Sequence, residues 1–363
     1  MTSTFKSAAC EAAHASSTVD VRLSSPSDAK EWDHYVDQHP MGTFFHLYGW
    51  AAVSANAYGY EPLYLVARRG PKIVGVLPLL DVRSPLLGRS IISTAFTTGG
   101  GPIGDDDAIL DALAEAAVAL GRERRVKYVE LRGDWKADPT WLVKSGKYAT
   151  FNYHMPQDEA ENLSLIPRRR RAQIRKAIKS ANEGALQMRY DQDPDLFYRL
   201  YARALRNHGT PVFPKKFLTG LAQAFSTEVE ISFVEFEGAP VATLLSFYYK
   251  DAMILYYAGS SPEAKAARAN DYHYWSLMRR AVERGYTTLD FGRSKIGTGP
   301  YHFKTLWGID PEPLSYQYKL ITAQNMPDVN PNNPKFYYFT KAWQHLPLPV
   351  ANTIGPLLAP NFP

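Results

Sequence analysis

The sequence contains little cysteine and no long apolar run. Cys10 is the only cysteine in 363 residues, which excludes an intramolecular disulfide and a cysteine-rich zinc site and fits a reducing compartment. No stretch reaches the roughly 18 consecutive apolar residues that a membrane-spanning helix requires, and the first twenty residues lack the apolar segment of a signal peptide. The sequence therefore predicts a cytoplasmic protein, either free or held peripherally at the inner membrane.

Several common catalytic and binding motifs are also missing. No pattern in the sequence matches a His/Cys metal site, a Ser-His-Asp triad or a phosphate-binding P-loop. We therefore expect no metal and no tightly bound cofactor.

The charge of the chain is modest but unevenly distributed. The formal net charge is +5, and cations are concentrated in residues 168–179. A local basic run predicts a site for an anionic ligand rather than a DNA-binding surface. The same run is also consistent with a solvated helix face, so both interpretations stay open at this point.

The two halves of the sequence repeat one pattern. A length of 363 residues leaves room for about two domains of roughly 150 residues each. Each half contains a predicted β-hairpin, a further strand, a helix and one more strand, and the hairpin turns lie at residues 69–72 and 237–240. This duplication predicts two tandem α/β domains, with a ligand in the cleft between them.

The repeat also suggests where the domains begin and end. We expect a disordered lead over residues 1–18, a first domain over 19–155, a second over 156–325 that begins with a basic linker helix, and a C-terminal segment over 326–363. That segment is rich in proline and aromatic residues. Residues 335–345 predict an amphipathic helix, and the apolar residues after it are expected to be irregular. The segment either straps the second domain or contacts a membrane surface.

One stretch of the second domain has the composition of a reactive site. A short predicted strand over residues 288–291 is followed by a glycine-rich stretch, predicted to be a loop, that contains Arg293, Lys295, Tyr301, His302 and Lys304. Glycine lets backbone N–H groups approach an anionic or carbonyl oxygen closely. We therefore expect the site at this loop.

Three groups of residues stand in a recognisable order and spacing along the sequence. They are Phe44-Phe45-His46 with Gly49-Trp50, the basic run over residues 166–177, and Leu289-Asp290-Phe291-Gly292-Arg293-Ser294 followed by Phe303-Lys304-x-x-Trp307-Gly308. These groups resemble the FemAB family. With Asn333-Pro334-Lys335-Phe336 and Leu346-Pro347-Leu348-Pro349, the chain is most similar to the branch associated with exosortase/PEP-CTERM gene clusters. The resemblance implies two tandem domains of the GNAT acyltransferase fold.

The resemblance also implies an activity and two classes of donor. FemAB-like transferases form an amide on a cell-envelope or exopolysaccharide precursor, and the acyl donor is either an aminoacyl-tRNA or an acyl-CoA. Acyl-CoA-dependent GNAT enzymes usually carry Arg/Gln-x-x-Gly-x-Gly/Ala before a helix, where backbone N–H groups hold the pyrophosphate. The corresponding residues 265–271 are Lys-Ala-Ala-Arg-Ala-Asn-Asp, without glycine. This departure weakens the case for CoA and leaves tRNA, or another donor, open. The expected partners are a tRNA acceptor stem and an anionic envelope or glycan precursor.

Acyl transfer to an amine needs a base, donors for the oxyanion and cations for anionic groups. From position and resemblance, we assign catalytic roles to Lys304, Asp290 and Tyr301. The candidate substrate-binding residues are Arg293, Lys295, His302, Arg168, Arg171, Arg175, Lys176, Trp50 and His46.

Most of these residues have a structural alternative. Asp290 can cap its loop or pair with a nearby cation, and Lys304 can form a surface salt bridge. His302 can be structural, and Trp50 and His46 can pack the core of the first domain.

Two functions stay open on the sequence alone. The first is a FemAB-like N-acyl or aminoacyl transferase. The alternative is a non-catalytic protein that docks an anionic glycan or lipid precursor for exopolysaccharide/PEP-CTERM machinery. A Lys304 variant that binds ligand but has lost turnover would favour the enzyme.

Overall fold

The computed structural model describes residues 19–84, 88–133, 135, 139–326 and 334–359, the last segment without the side chains of 334–337. The predicted lead over residues 1–18 lies outside the described residues, as do residues 327–333 and 360–363 of the C-terminal segment. The chain divides into two compact units. Unit 1 comprises residues 19–55, 59–144 and 315–326, and unit 2 comprises residues 56–58, 145–314 and the C-terminal segment.

The elements within residues 19–144 form a mixed α/β arrangement. They are β1 (Asp20–Leu23), α1 (Ala29–Gln38), α2 (Gly49–Tyr58), β2 (Glu61–Pro62), β3 (Leu65–Arg69), β4 (Lys72–Leu77), β5 (Leu79–Ser84), β6 (Gly88–Ser93), β7 (Ile103–Gly104), α3 (Asp107–Glu123), β8 (Tyr128–Arg132) and β9 (Leu142–Lys144).

The elements that follow belong to unit 2, except for the last strand. They are β10 (Tyr148–Thr150), β11 (Asn152–His154), α4 (Glu159–Leu165), α5 (Arg168–Asn182), β12 (Leu186–Tyr190), α6 (Pro194–His208), α7 (Lys215–Ala224), β13 (Val229–Phe236), β14 (Ala239–Tyr249), β15 (Ala252–Ser260), α8 (Pro262–Ala266), α9 (Ala269–Glu283), β16 (Thr288–Asp290), β17 (Ser294–Lys295), α10 (Gly299–Thr305), β18 (Glu312–Pro313), the unit 1 strand β19 (Tyr316–Leu320), and then α11 (Pro334–His345) and α12 (Leu348–Leu358).

Unit 1 contains a four-stranded sheet in the order β1-β3-β4-β7 and a six-stranded sheet in the order β2-β5-β6-β8-β19-β9. Within the larger sheet β6 and β8 run parallel. Helix α3 begins where Asp106 accepts a hydrogen bond from the Ile109 N–H at 3.0 Å, and its apolar stripe of Ile109, Leu113 and Ala117 lies in the core.

Unit 2 is built on a six-stranded sheet in the order β11-β16-β15-β14-β13-β12, accompanied by a three-stranded sheet β17-β10-β18. Within the larger sheet β15 and β16 form a parallel pair. Helix α6 packs against β14 and β15, and α9 packs against β13 and α5. The aromatic side chains of Phe151, Trp275, Phe291 and Trp307 lie in its core.

The units divide the chain at different residues from those predicted. Residues 145–155 lie in unit 2, because β10 and β11 pair with β17, β18 and β16. Residues 315–326 lie in unit 1, because β19 pairs with β8 and β9. Both differences arise from pairing between strands that are far apart in the sequence.

Two predicted irregular segments are helical or extended instead. The predicted loop over residues 292–304 contains strand β17 and helix α10, in which Pro300 occupies the first turn, where its missing N–H costs nothing. The segment after residue 345 forms α12 despite an internal proline, Pro356. The predicted helix over residues 335–345 is confirmed as α11. No helix in the described ranges combines the length and apolar character needed to cross a bilayer.

Candidate active site

The carboxyl end of β16, beside the middle of β15, defines the candidate site in unit 2. The parallel register pairs Ala252 with Thr288 and Ile254 with Asp290, so both strands point the same way. Strand β16 stops at Asp290, while β15 continues to Ser260. The chain after Asp290 therefore turns away next to a strand that runs on, which is where open α/β sheets commonly place a ligand.

The turn after β16 requires glycine at position 292. Gly292 has φ +74°, and a Cβ there would lie 2.3 Å from the carbonyl oxygen of Leu255. A residue with a side chain would meet both backbone strain and a clash with the backbone of β15. The loop is thus seated directly on the neighbouring strand.

Asp290 caps this turn. Its Oδ1 accepts hydrogen bonds from the Gly292 N–H at 2.7 Å and the Thr150 hydroxyl at 2.8 Å. Burial raises the pKa of the Asp290 carboxyl, and the bonds from Gly292 and Thr150, together with the charge of Lys304, oppose that rise. The capping role, one alternative from the sequence, is observed, and the carboxylate remains next to the site.

Lys304 lies inside the unit and not on its surface. Its side chain is only 6% exposed, and its Nζ donates to the carbonyl oxygens of Gly292 at 2.6 Å and Arg293 at 3.3 Å. The surface salt bridge considered from the sequence is therefore wrong. Burial lowers the pKa of Lys304 to about 8, against the charge of Asp290, which raises it. Helix α10 thus ties the turn through one buried ammonium.

Two cations lie over the ring of Tyr148 beside this turn, and a third is paired with Tyr148 across two strands. The Arg293 guanidinium carbon lies 4.6 Å from the ring centroid and the Lys147 Nζ lies 4.9 Å from it. Lys295 is the register partner of Tyr148 across β10 and β17. Burial lowers the pKa of Lys295, Tyr148 raises it, and the charge of Lys147 lowers it further. Like charges held together in this way favour an anionic ligand between them.

Sequence reasoning found Arg293 and Lys295 but missed Lys147 and Tyr148. These two residues precede the expected second domain by several positions, and only the pairing of β10 with β17 brings them to the site. Lys147 and Tyr148 gave no signal in the sequence, because the register of a two-residue strand cannot be inferred from local residues.

Tyr301 and His302 lie in the first turn of helix α10, where Tyr301 is half-buried against the core of unit 2. The Tyr301 ring contacts Phe151 edge-on at 5.5 Å between centroids, and the Lys304 Nζ lies 5.6 Å from the same Phe151 ring. The structure thus brings Tyr301 close to Lys304 through one shared aromatic contact. His302 is exposed.

The predicted basic residues of α5 separate into different environments. Arg168, Arg175 and Lys176 are exposed. Arg171 donates to the carbonyl oxygens of Leu163 and Ser164 at the end of α4, where a cation also suits the helix dipole. Only the first three therefore present an outward cationic face.

The arginine that enters the interior is Arg170, which the sequence analysis did not single out. It pairs with Asp271 in the first turn of α9. Its guanidinium carbon lies 4.7 Å from the ring centroid of Phe303 and 5.9 Å from that of Trp307, the aromatic residues on either side of Lys304. A signal was present, because Arg170 shares the helical spacing of the buried Ile174 and Ala177.

The start of α9 is occupied by the protein itself. Arg268 precedes the helix in the left-handed conformation, with φ +57°, and its Nε donates to the Gln173 side chain of α5 at 2.9 Å. The Asp271 carboxylate lies one turn in, beside Arg170. A carboxylate at this position disfavours a second anion such as a pyrophosphate.

The two candidates in unit 1 are parts of its core. Trp50 is fully buried and donates its indole N–H to the Phe44 carbonyl oxygen at 2.9 Å. His46 is 4% exposed, with one ring nitrogen 2.8 Å from the Thr43 hydroxyl and the other 3.0 Å from the Gly101 carbonyl oxygen. Both positions agree with the core-packing alternative and give Trp50 no surface for a substrate.

Comparison with known proteins identifies the fold. Residues 168–305, which run from the start of α5 to the end of α10, match the sequence model of the acetyltransferase (GNAT) domain. This chain contains a GNAT-like acetyltransferase domain. No functionally curated protein matches the chain at a significant level.

Solved structures extend the GNAT-like fold to most of the chain. A crystal structure of FemX matches with a TM-score of 0.64 at 16% identity, covering 82% of this chain and 96% of that one. L-PGS from Bacillus licheniformis matches with a TM-score of 0.53 at 12% identity, covering 90% and 99%. A tandem GNAT protein from the clavulanic acid biosynthesis pathway matches with a TM-score of 0.53 at 10% identity, covering 86% and 100%. The predicted α/β fold with tandem GNAT-like domains is confirmed.

Proposed function

We propose that this protein is a FemAB-like transferase that forms an amide on a phosphate-bearing cell-envelope or exopolysaccharide precursor. The observation that carries this proposal is the turn after β16, which Asp290 caps, Lys304 ties and three cations flank. All the catalytic candidates lie within the GNAT-like domain. A GNAT-like fold supports acyl transfer, and the cations Lys147, Arg293 and Lys295 beside the turn suit a phosphorylated acceptor.

Lys304 acts in this proposal by polarising the turn. A pKa of about 8 leaves the ammonium mainly protonated at neutral pH. Its bonds to the Gly292 and Arg293 carbonyls draw electron density from these peptides, so the N–H of the Gly292–Arg293 peptide becomes a stronger donor. Such a donor stabilises the oxyanion of an acyl-transfer intermediate.

Asp290 is the candidate general base in this proposal. Its carboxylate lies at the strand end, and its raised pKa makes it a better proton acceptor than an exposed aspartate. It would take a proton from the acceptor amine as the amine nitrogen attacks the acyl carbonyl, and Tyr301, in the first turn of α10, would give a proton to the donor oxygen that leaves. The geometry supports these roles through proximity to Lys304.

The anionic part of the acceptor would bind around Tyr148. Lys147 precedes Tyr148 in the chain, and Arg293 and Lys295 come from the segment after β16. A phosphate or diphosphate would offset the mutual repulsion of the three cations. Arginine binds phosphate in a bidentate manner, while lysine contributes a point charge. His302, exposed one residue after Tyr301, would lie at the margin of the acceptor.

We infer that the donor is an aminoacyl-tRNA rather than an acyl-CoA. GNAT enzymes hold the CoA pyrophosphate at the helix start that corresponds to the first turn of α9. In this chain that turn carries the Asp271 carboxylate, which pairs with Arg170, and Arg268 just before it donates a hydrogen bond to the Gln173 side chain. Arg168, Arg175 and Lys176 project from α5 into solvent and suit the phosphates of an acceptor stem. Charged tRNA is a cytoplasmic donor, which fits the expected location.

Ligand-dependent thermal stability separates the two donors. Charged tRNA is expected to raise the melting temperature and CoA at micromolar concentration is not, because only a ligand that binds the folded state stabilises it. A double variant Arg175→Met/Lys176→Met should weaken tRNA binding and lower its salt slope by about two. Stabilisation by CoA and not by charged tRNA would contradict the inferred donor.

The acceptor site is tested with inorganic pyrophosphate. Calorimetric titration should show binding to the native protein and at least tenfold weaker binding to Lys147→Met. The matched control is Lys179→Met, which removes an exposed lysine of α5 and should leave the affinity unchanged. Equal affinity in all three proteins would contradict the site around Tyr148.

A further inference from the structure

The C-terminal segment packs on unit 2 through one face of its last helix. Ala351 and Gly355 of α12 are buried, and a Cβ at Gly355 would lie 3.0 Å from the Val212 backbone nitrogen. The preceding helix is held by Trp343, which is buried, and by a bond from Arg206 to the Gln344 carbonyl oxygen at 3.0 Å. The predicted strap over the second domain is observed.

A different face of α12 is apolar and exposed. Val350 is 40% exposed, Ile354 is 38% exposed and Leu357 is 72% exposed. Positions 350, 354 and 357 lie within about 60° of one another around a helix of 3.6 residues per turn. The three side chains therefore form one stripe, which we call the α12 stripe, pointing away from Ala351 and Gly355.

The charges that neighbour the α12 stripe in the sequence have one sign. Residues 346–363 contain no charged side chain, and residues 329–363 contain no aspartate or glutamate. The basic side chains of residues 329–363 are those of Lys335, Lys341 and His345, and Lys341 and His345 are exposed on α11. A segment that carries basic side chains and no carboxylates complements an apolar layer with an anionic surface.

Tyr338 adds a residue suited to such a surface. It lies on α11 three residues before Lys341 and is 71% exposed. Tyrosine has an apolar ring and a polar hydroxyl, which favour the boundary between hydrocarbon and headgroups.

We propose that α12 docks unit 2 onto an anionic membrane surface, with the α12 stripe inserted among the acyl chains and the cations of α11 at the headgroups. Apolar area and attraction to anionic lipid add in such binding. The helix is held on the unit by its Ala351 and Gly355 face, so the docking needs no unfolding of the segment. The protein then binds peripherally.

Vesicle sedimentation tests this proposal with the full chain. Native protein should sediment with vesicles of phosphatidylglycerol and phosphatidylcholine and much less with phosphatidylcholine alone. Leu357→Glu should lower the partition coefficient at least tenfold, because it replaces an inserted leucine by a carboxylate. The control Leu165→Glu changes a leucine that is 59% exposed at the end of α4, and it should bind as the native protein does.

Folding and self-association are measured on the same samples. Both substitutions are at exposed leucines, so the melting temperature should stay unchanged. The proposal is overturned if native protein ignores anionic vesicles, if it binds neutral and anionic vesicles equally, or if Leu357→Glu binds as tightly as native protein. It is also overturned if Leu357→Glu abolishes a dimer seen by ultracentrifugation while vesicle binding persists, because the stripe would then join two copies.

Discussion

Replacing Arg170 by methionine should remove a large part of the stability of unit 2. The Arg170 side chain is 9% exposed and its partner Asp271 is 12% exposed, so the change leaves a carboxylate buried without its cation. Breaking a buried pair from one side costs about 3–5 kcal/mol. Loss of the contacts with Phe303 and Trp307 adds about 0.5–1 kcal/mol. A domain is commonly stable by only about 5–15 kcal/mol.

Two further variants separate the ion pair from a general effect of the substitution. Arg169→Met changes the exposed neighbour and should alter the free energy of unfolding by less than about 0.5 kcal/mol. The double variant Arg170→Met/Asp271→Leu removes both charges and should recover most of the loss, since an apolar pair of similar volume tolerates the same burial.

Urea unfolding followed by tryptophan fluorescence provides the measurement. Trp307 packs next to Arg170, so the transition of unit 2 is reported by a residue at the site. The two units can unfold separately, and each transition is then fitted on its own. An Arg170→Met variant as stable as Arg169→Met, or a double variant no more stable than Arg170→Met, would refute the reasoning.

Two other predictions concern the turn itself. The free energy of unfolding of native protein relative to Lys304→Met should rise between pH 8 and 9.5, by up to about 1.4 kcal/mol per pH unit. The reason is that the folded-state pKa of Lys304, about 8, lies below the unfolded value, so the folded state releases this proton first. Urea titrations at several pH values measure the difference between the two proteins, and a difference that does not change with pH would contradict the prediction. Gly292→Ala should destabilise by about 2 kcal/mol or more, and by more than Gly297→Ala, which has φ +79° but no atom within 4 Å of its Cβ position; equal losses would show that the contact with Leu255 is unimportant.

The order of elements around the site could be predicted because its signals are local. An apolar stretch ending in Asp290 and followed by Gly292 indicates a strand and a turn, and both are present. The duplicated pattern of hairpin, strand, helix and strand predicted two tandem α/β domains for the same reason, and the resemblance to the FemAB family added the GNAT fold. Local periodicity is enough where each element forms from neighbouring residues.

Other features depend on contacts that local patterns do not contain. Arg170 turns inward because it pairs with Asp271, 101 positions later in the sequence. Local composition alone does not distinguish Arg170 from its three arginine neighbours. Helix α12 contains Pro356, and its Gly355 packs closely on Val212, which is distant in the sequence. The compact units differ from the expected domains at β10 and β19, because strand pairing between residues far apart in the sequence assigns these strands.

The most direct test of the central claim is the chemical fate of a labelled aminoacyl group. Protein is incubated with radiolabelled aminoacyl-tRNA and an extract of bacterial envelope precursors, and mild base then hydrolyses the remaining ester. We predict base-stable, amide-linked label with native protein, none with Arg293→Met, and little with acyl-CoA as donor. A folded native protein that binds pyrophosphate but yields no amide from any aminoacyl-tRNA or acyl-CoA would contradict the claim and leave a docking protein.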